Sequence, residues 1–321
     1  MKRILITGGS GFIGTNLVEF YRLRGNPVCN VDVAPVRNPE HADFHKQVDI
    51  LDAAALREAV DTFAPDIIFH LAARTDLDGR TLEDYSANIE GVTNVLGAVR
   101  GCKTVQRLIV ASSRLVCRIG YQPSSDTDYQ PTTVYGRSKI RTEQIVRAFG
   151  LEVPWTIVRP TSIWGPWFGV PYDLFFRLIG RGMFVLPGRR KVLKSFGFVG
   201  NSVHELDCLS TADSTIDGTT LYLCDYPPLE LEQWAHMIRD AMDAPPLRRV
   251  PFGLLKTVAV AGDVMASVPL PLPTPPLTSF RLNNLVAEMV HDTAPIERVA
   301  GTLPYSLEQG VAQTVEWIKR S

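Results

Sequence analysis

Apolar and polar positions alternate in blocks along the first half of the chain. Short apolar runs, each too brief for a helix, are separated by longer segments in which apolar residues recur with helical spacing. The runs predict strands near 3–7, 27–31, 66–71 and 107–111, and the mixed segment 44–48 is a further short candidate strand. The longer segments predict helices near 12–23, 53–63 and 82–100. Strands that alternate with helices predict an α/β fold built on a doubly wound parallel sheet.

This alternation weakens after Arg159, where proline becomes more frequent. The remaining pattern predicts helices near 172–181 and 230–242, a strand near 219–223 and a basic loop over 181–194. We therefore expect a Rossmann domain over 1–165, with strands returning to it near 192–224. A smaller, partly interleaved carboxyl-terminal domain over 166–321 would bind the substrate.

Glycines follow the first predicted strand at a spacing that has a physical meaning. In Gly9-x-Gly11-x-x-Gly14 the first glycine makes a tight turn, the second admits a pyrophosphate and the third lets the helix pack closely. Asp32 ends the second strand, where a carboxylate accepts hydrogen bonds from ribose hydroxyls and repels a 2′-phosphate. The pattern predicts dinucleotide binding and favours NAD over NADP, although Arg37 nearby leaves NADP open.

Tyr135 and Lys139 are four residues apart, which places them on one face of a helix. Lowering the pKa of a phenol from about 10 to about 7 requires about 4 kcal/mol. One positive charge at about 4 Å supplies about that much at an effective dielectric of about 20. Beside a nicotinamide ring the pair would be a general acid/base, and elsewhere it would be an ordinary solvated helix face. Ser112 and Ser113, at the end of the fifth strand, are either part of that site or turn and cap residues.

Composition narrows the range of partners. The formal net charge is −1, so no electrostatic argument favours nucleic acid. The five cysteines form no C-x-x-C pair and the six histidines are dispersed, which predicts reduced thiols and no metal site. The apolar stretch 254–272 is interrupted by Lys256, Asp263 and prolines, so we expect no membrane span. No signal peptide is visible, and we expect a cytoplasmic protein.

With these motifs in place the chain resembles an extended short-chain dehydrogenase/reductase of the NAD-dependent epimerase/dehydratase family, whose members mostly act on nucleotide sugars. The matching segments are Thr7 to Gly14, Asp32, Asp49-Ile50, His70 to Ala73, Asn88-x-x-Gly91-x-x-Asn94, Ser112-Ser113, Tyr135-x-x-x-Lys139, Arg159-Pro160 with Gly165-Pro166, and Leu303-Pro304-Tyr305 through Trp317. The likeness therefore covers nearly the whole length.

The resemblance implies NAD as cofactor and assigns roles to individual residues. Tyr135 would be the acid/base, Lys139 would lower its pKa and hold the nicotinamide ribose, and Ser113 would hydrogen-bond the reacting oxygen. Besides Tyr135 and Lys139, the cofactor contacts would be Gly8, Gly11, Phe12, Ile13, Gly14, Asp32, Asp49, Ile50, Leu71, Ala72, Ala73, Asn88, Pro160 and Ser162. It also implies a homodimer packed through helices near 82–100 and 132–149.

The chain departs from the family pattern where substrate would bind. Sugar dehydratases carry Asp-Glu where Arg114-Leu115 stand, so we do not expect 4,6-dehydratase chemistry. Arg114 would be a solvated side chain or a substrate-phosphate contact. Ser162 replaces a frequent asparagine, Cys117-Arg118 replace Tyr-Gly, and Gly200-Asn201 replace two aspartates. These changes favour an unusual substrate, with Ser162, Arg189 in the basic loop and Arg281 as further candidate contacts.

The sequence therefore predicts an NAD-dependent nucleotide-sugar epimerase, acting most simply at C4. An NAD(P)-dependent keto-sugar reductase or hydroxysteroid-like dehydrogenase is an alternative, and a non-catalytic NAD-binding regulator is a third. The proline-rich segment 269–276 favours polyproline-like backbone. It would be a wall over an apolar substrate, a covering strap or an oligomer contact.

Overall fold

The computed structural model describes residues 1–169, 172–267, 275 and 277–320. The strands are β1 (Ile4–Thr7), β2 (Val28–Asp32), β3 (His45–Gln47), β4 (Ile67–His70), β5 (Arg107–Ala111), β6 (Trp155–Pro160), β7 (Ser162–Trp164), β8 (Val185–Pro187), β9 (Leu193–Lys194), β10 (Phe196–Phe198), β11 (Thr220–Leu223), β12 (Leu229–Glu230) and β13 (Arg248–Val250). The helices are α1 (Phe12–Leu23), α2 (Ala53–Phe63), α3 (Ser86–Gly101), α4 (Val134–Ala148), α5 (Tyr172–Gly180), α6 (Val199–Thr211), α7 (Leu231–Ala241), α8 (Phe252–Ser267), α9 (Ser279–Val286), α10 (Ala294–Ala300) and α11 (Leu307–Arg320).

A seven-stranded sheet organises the first half of the chain, in the order β11-β6-β5-β4-β1-β2-β3. Its ladders are all parallel. The chain runs outward from β1 to β3 and then crosses back to β4, which makes the gap between β1 and β4 the point where the strand order reverses. In such sheets ligands bind at the carboxyl ends of the strands beside this point. The predicted doubly wound Rossmann sheet is confirmed.

Helices cover both faces of the sheet, because side chains alternate between the two sides of each strand. On one face, α2, α3 and α4 pack on strand residues such as Leu5, Ile68 and Leu108. On the other, α1, α6 and α10 pack on the intervening residues, including Ile6 and Phe69. Both faces are buried, as parallel sheets require.

A second core lies beyond the sheet, in the carboxyl-terminal half. It contains residues of β7, β10, α5, α7 and α11 around Trp164, which contacts the rings of Phe198 and Trp234 at centroid distances of 5.2 Å. A small satellite cluster joins α8 to α9 through Leu255, Ala259 and Leu282. The division of the chain into two domains near residue 165 stays a prediction.

Two expectations about individual segments change, and a third concerns residues that are mostly not described. The strand predicted at 44–48 is shorter, since Phe44 belongs to a 3₁₀ turn that precedes β3. The predicted basic loop 181–194 contains β8 and β9. The proline-rich segment 269–276 lies outside the described residues except for Pro275. Within the described ranges, no helix is both long and apolar enough to cross a bilayer.

Candidate active site

The glycine-rich turn after β1 is built so tightly that side chains are excluded from it. A Cβ on Gly8, whose φ is +77°, would lie 2.5 Å from the backbone nitrogen of Ala72, and one on Gly14 would lie 2.1 Å from the Gly8 carbonyl oxygen. The turn continues into α1, whose first turn carries no acidic residue and no capping side chain. Its backbone N–H groups are therefore directed at the gap beside β1, where they fit the phosphates of a dinucleotide.

Asp32 is at the carboxyl end of β2 and holds the tip of this turn. Its carboxylate accepts hydrogen bonds from the backbone N–H of Ser10, at 3.0 Å, and of Ala34, at 2.9 Å. Arg37, the residue that left NADP open, donates from Nε to the carbonyl oxygen of Ser10 and from Nη1 to that of Trp167. The Arg37 guanidinium is therefore hydrogen-bonded to two backbone carbonyl oxygens.

The end of β4 forms the opposite wall of the gap. The ring of His70 is buried and its Nδ1 lies 2.7 Å from Oγ1 of Thr7 on β1. Burial, with a smaller effect from the charge of Lys139, lowers the pKa of His70 to about 3, so the ring is neutral. Leu71, Ala72 and Ala73 follow, and the backbone of Leu71 and Ala72 lies against Gly8.

Asn88 on α3 is hydrogen-bonded to the segment that follows β4. Its Nδ2 donates to the carbonyl oxygen of Arg74, at 3.0 Å, and to Oγ of Ser138, at 2.9 Å, while its Oδ1 accepts from the backbone N–H of Arg74. The side chain is buried and both of its donor hydrogens are engaged. Asn88 therefore fixes the segment after β4, and its expected contact with the cofactor stays a prediction.

Asp49 and Ile50, the predicted adenine contacts, lie beyond β3 at the edge of the sheet. Ile50 is buried, and a Cβ on Gly91 of α3 would lie 2.5 Å from its Cδ1. Asn94 donates to the Ile50 carbonyl oxygen at 2.9 Å. The motif residues Gly91 and Asn94 thus hold this segment in place, and Asp49 is exposed.

The first turn of α4 brings Tyr135 to the segment that carries Ser113. Thr133 caps the helix by accepting from the backbone N–H of Gly136, at 2.9 Å. A Cβ on Gly136 would lie 2.2 Å from the carbonyl oxygen of Leu115, so the helix rests on the 3₁₀ turn that begins after Ser113. Tyr135 is 7% exposed. The ring of the buried Tyr85 lies beside it at a centroid distance of 6.0 Å.

Lys139 is one turn further along the same face and is 3% exposed. Its Nζ donates to the carbonyl oxygen of Ala111, at the carboxyl end of β5, over 2.9 Å. Burial lowers the pKa of Lys139 to about 8, and the carboxylate of Glu143 opposes this shift. Ser113 Oγ accepts from the backbone N–H of Leu115 at 3.1 Å, which leaves its hydroxyl hydrogen to donate.

A buried charge network that the sequence reasoning missed is centred on Glu143, one helical turn after Lys139. Glu143 accepts from Nε and Nη2 of Arg159, from the hydroxyl of Ser112 at 2.6 Å and from the hydroxyl of Tyr129 at 2.9 Å. A signal was present in the sequence, since Glu143 continues the four-residue spacing of Tyr135 and Lys139. Ser112 is thus a partner of Glu143.

Arg114 is buried, so the expectation of a solvated side chain is wrong. Its charge acts on His291, whose ring stacks on that of Tyr222 at 4.2 Å. Burial, followed by the charges of Arg114 and Arg159, lowers the pKa of His291 to about 4. Neither ring nitrogen of His291 has a hydrogen-bond partner among the described residues. Arg114 and His291 line one shallow cavity with Cys117 and Arg118, two of the residues that depart from the family pattern.

The remaining predicted substrate residues are dispersed. Lys194 of the predicted basic loop is fully buried and donates to the carbonyl oxygens of Asn284 and Ala287 at the end of α9. Arg189 is exposed. Arg281 lies on α9 as predicted and donates to the Pro275 carbonyl oxygen at 2.9 Å. Pro160 and Ser162 flank the junction of β6 and β7, where Ser162 is buried.

Asn201, one of the two residues replacing aspartates, supports the fold. Its Nδ2 donates to Oδ1 of Asp225 and to the Tyr305 carbonyl oxygen, each at 3.0 Å, and its Oδ1 accepts from the backbone N–H of Tyr305. Burial raises the pKa of Asp225 to about 7. This departure therefore has a structural partner and does not by itself indicate a different substrate.

The fold and this site together define a class. The glycine turn at the point where the strand order reverses, with an acid at the end of β2, fits a nicotinamide dinucleotide. The helix face with Tyr135 and Lys139, beside a serine, fits a group that exchanges protons. The model of the NAD dependent epimerase/dehydratase family matches residues 4–214, and the chain belongs to that family. It is an NAD-dependent enzyme of the extended short-chain dehydrogenase/reductase type.

The chain is also similar to individual relatives. It is 31% identical over 261 residues to a 3 beta-hydroxysteroid dehydrogenase/Delta 5-->4-isomerase of Mycobacterium tuberculosis, covering 75% of this chain and 70% of that one. It is 26% identical to the N-acetyl-alpha-D-glucosaminyl-diphospho-ditrans,octacis-undecaprenol 4-epimerase of Escherichia coli O157:H7, covering 98% and 94%. The solved UDP-glucose 4-epimerase of Thermotoga maritima, with UDP-glucose, shares the fold with a TM-score of 0.74 at 19% identity and 99% coverage of both chains.

Proposed function

We propose that the chain inverts C4 of a sugar carried on a diphosphate, most simply a nucleotide sugar. The observation that carries the proposal is the α4 face on which Tyr135 and the buried Lys139 follow each other, with the Ser113 turn packed against Gly136. The epimerase relative that matches nearly the whole chain supports the same reaction.

Each residue of the site has a separate role in the proposed reaction. NAD, when bound, supplies a reversible hydride acceptor, and the glycine turn, Asp32 and Lys139 would hold it. Tyr135, kept anionic by the Lys139 ammonium, would take the proton from the 4-hydroxyl and return it after the sugar has turned over. Ser113 would donate a hydrogen bond to the reacting oxygen with the hydrogen that Leu115 does not use.

Charge favours an anionic substrate. Arg114 follows Ser113 directly and is buried. Burial is the main cause of the lowered pKa values of His291 and Lys194, and the positive charge of Arg114 lowers both further. A diphosphate stabilises such a group, whereas a neutral sterol does not. Arg114 is therefore the strongest of the candidate phosphate contacts.

A second candidate is NAD-dependent oxidation of a hydroxysteroid-like alcohol, which the Mycobacterium tuberculosis relative favours. The two reactions differ in their cofactor balance. An epimerase returns each hydride, so reduced cofactor does not accumulate, whereas a dehydrogenase produces one NADH per turnover.

The test is to incubate the NAD-loaded protein with a panel of nucleotide sugars and hydroxysteroids. Nuclear magnetic resonance would follow the C4 configuration, and absorbance would follow NADH. We expect C4 epimers to equilibrate without net NADH. Stoichiometric NADH from a hydroxysteroid, with no epimer from any sugar, would replace the first candidate by the second.

Two further expectations belong to the proposal. A homodimer through α3 and α4 would be tested by light scattering of the purified chain. A cytoplasmic location is supported by the described cysteines, all of which are free thiols.

A further inference from the structure

The outer face of α8 is apolar where a surface helix is ordinarily polar. Leu254, Val258, Ala261 and Met265 recur every three or four residues and form one exposed stripe, in which Leu254, Val258 and Met265 are 57%, 50% and 49% exposed. The opposite face is also apolar, because Leu255 and Ala259 are buried against Leu282 of α9. The helix therefore exposes an apolar stripe although its buried face is apolar as well, and Lys256 is its exposed charged residue.

Positive charge collects where α8 begins. β13 leads into the helix through Pro251, and it pairs with β8, after which the chain turns through Arg189 and Arg190. The guanidinium of Arg190 lies over the ring of Phe252, the first residue of α8, at 5.5 Å. Arg249 is paired with Glu232, so the excess charge comes from Arg189, Arg190 and Arg248, all of them exposed. We call these three arginines the basic rim.

We propose that the stripe on α8 and the basic rim form a docking surface for an anionic lipid bilayer. An apolar helix face lying in the interface, with arginines beside it at headgroup level, is the arrangement by which helices bind membranes without crossing them.

The dimensions and charges of this region support a bilayer as the occupant. α8 has 16 residues and is about 24 Å long, which is too short for a span but sufficient to lie along the surface. No carboxylate lies in the stripe, and Asp263 on another side of the helix accepts a hydrogen bond from the backbone N–H of Ser279. A second copy of the chain docked on the stripe would bring two basic rims together, where they repel, or leave each rim without a counter-charge. Anionic headgroups would instead neutralise the rim.

The test is flotation of the full chain with phosphatidylcholine vesicles, with and without phosphatidylglycerol. We expect the chain to bind the anionic vesicles and to be released by salt. Val258→Glu and, separately, Met265→Glu should each weaken binding about tenfold or more, since each places a charge in the apolar stripe. Arg190→Gln with Arg248→Gln should abolish the preference for phosphatidylglycerol. Leu23→Glu, at a leucine 70% exposed on α1, is the matched control and should leave binding unchanged.

Several outcomes would overturn the inference. Wild-type chain that fails to float with either vesicle would do so, as would binding that Val258→Glu and Met265→Glu leave intact. Light scattering that shows a dimer converted to monomer by Val258→Glu would instead assign the stripe to a second copy. Flotation needs neither substrate nor turnover, so its failure is distinct from failure of the proposed epimerase reaction.

Discussion

Arg159 on β6 and Glu143 on α4 form a two-point ion pair inside the protein. Nε and Nη2 of the arginine each donate to one carboxylate oxygen at 2.8 Å, and the two side chains are 1% and 0% exposed. The pair joins a helix to the sheet one turn beyond Lys139. It therefore fixes how the face with Tyr135 and Lys139 is oriented towards the ends of the strands.

Glu143→Gln should destabilise the fold, because it leaves the buried guanidinium of Arg159 without its counter-charge. Losing one partner of a buried pair costs about 3–5 kcal/mol of unfolding free energy. Urea unfolding measures the loss, and Glu90→Gln on the exposed side of α3 is the control. A loss no larger than that of the control would contradict the structural role of the pair.

The pH dependence of hydride transfer should report Lys139. Burial lowers its pKa to about 8, so the ammonium that stabilises the Tyr135 phenolate is lost as pH rises through that value. We expect the single-turnover rate to fall above pH 8. Lys139→Met should lower the rate at pH 7 about 100-fold. It should also shift to higher pH the range in which the rate increases, because the pKa of the Tyr135 phenol is then higher.

The exposed Lys103→Met is the control for that experiment and should behave as wild type. A Lys139→Met profile that coincides with the wild-type profile would remove Lys139 from the proton-transfer step.

Gly8→Ala should weaken NAD binding and the fold together. The new Cβ would meet the Ala72 backbone at 2.5 Å in a left-handed conformation, so the turn between β1 and β4 must shift. Isothermal titration should show NAD affinity reduced at least tenfold. Gly97→Ala in α3 is the matched control, since no described atom lies within 4 Å of its new Cβ. That change should raise stability by about 0.5–1 kcal/mol and leave NAD affinity unchanged.

Asp32→Asn should relax the preference for NAD over NADP. The amide oxygen can keep the hydrogen bond from Ser10 but not also the one from Ala34, and the negative charge that repels a 2′-phosphate is gone. We expect the ratio of NAD to NADP affinity to fall about tenfold or more, measured by titration with both cofactors. The exposed Asp43→Asn should leave the ratio as it is. An unchanged ratio in Asp32→Asn would assign the preference to another residue.

Local patterns in the sequence predicted the fold because the sheet and its turns are encoded locally. The glycine spacing, Asp32 at a strand end and the Tyr135–Lys139 spacing each depend on neighbouring residues. The structure places the glycines, Asp32 and Lys139 at the carboxyl ends of β1, β2 and β5. Strand lengths depend on pairing with neighbours. For this reason β3 is shorter than the predicted strand 44–48.

What the sequence did not predict depends on contacts between distant residues. Lys194 has the same charge as the exposed Arg189, but it is buried because α9 offers carbonyl oxygens 90 and 93 positions away. Arg114 is buried next to His291, a residue far along the chain. Neither environment has a local sequence signal, so the sequence left Arg114 open between a solvated side chain and a phosphate contact and placed Lys194 in a basic loop.

The most direct test of the proposed chemistry is Tyr135→Phe, which removes one hydroxyl from the site. Tyr226→Phe is the matched control, since the Tyr226 hydroxyl bonds the Gly301 carbonyl oxygen away from the glycine turn. With substrate and bound NAD in a single turnover, we expect Tyr135→Phe to slow the appearance of reduced cofactor at least 100-fold, with NAD affinity retained. A rate equal to that of Tyr226→Phe would show that another group exchanges the proton.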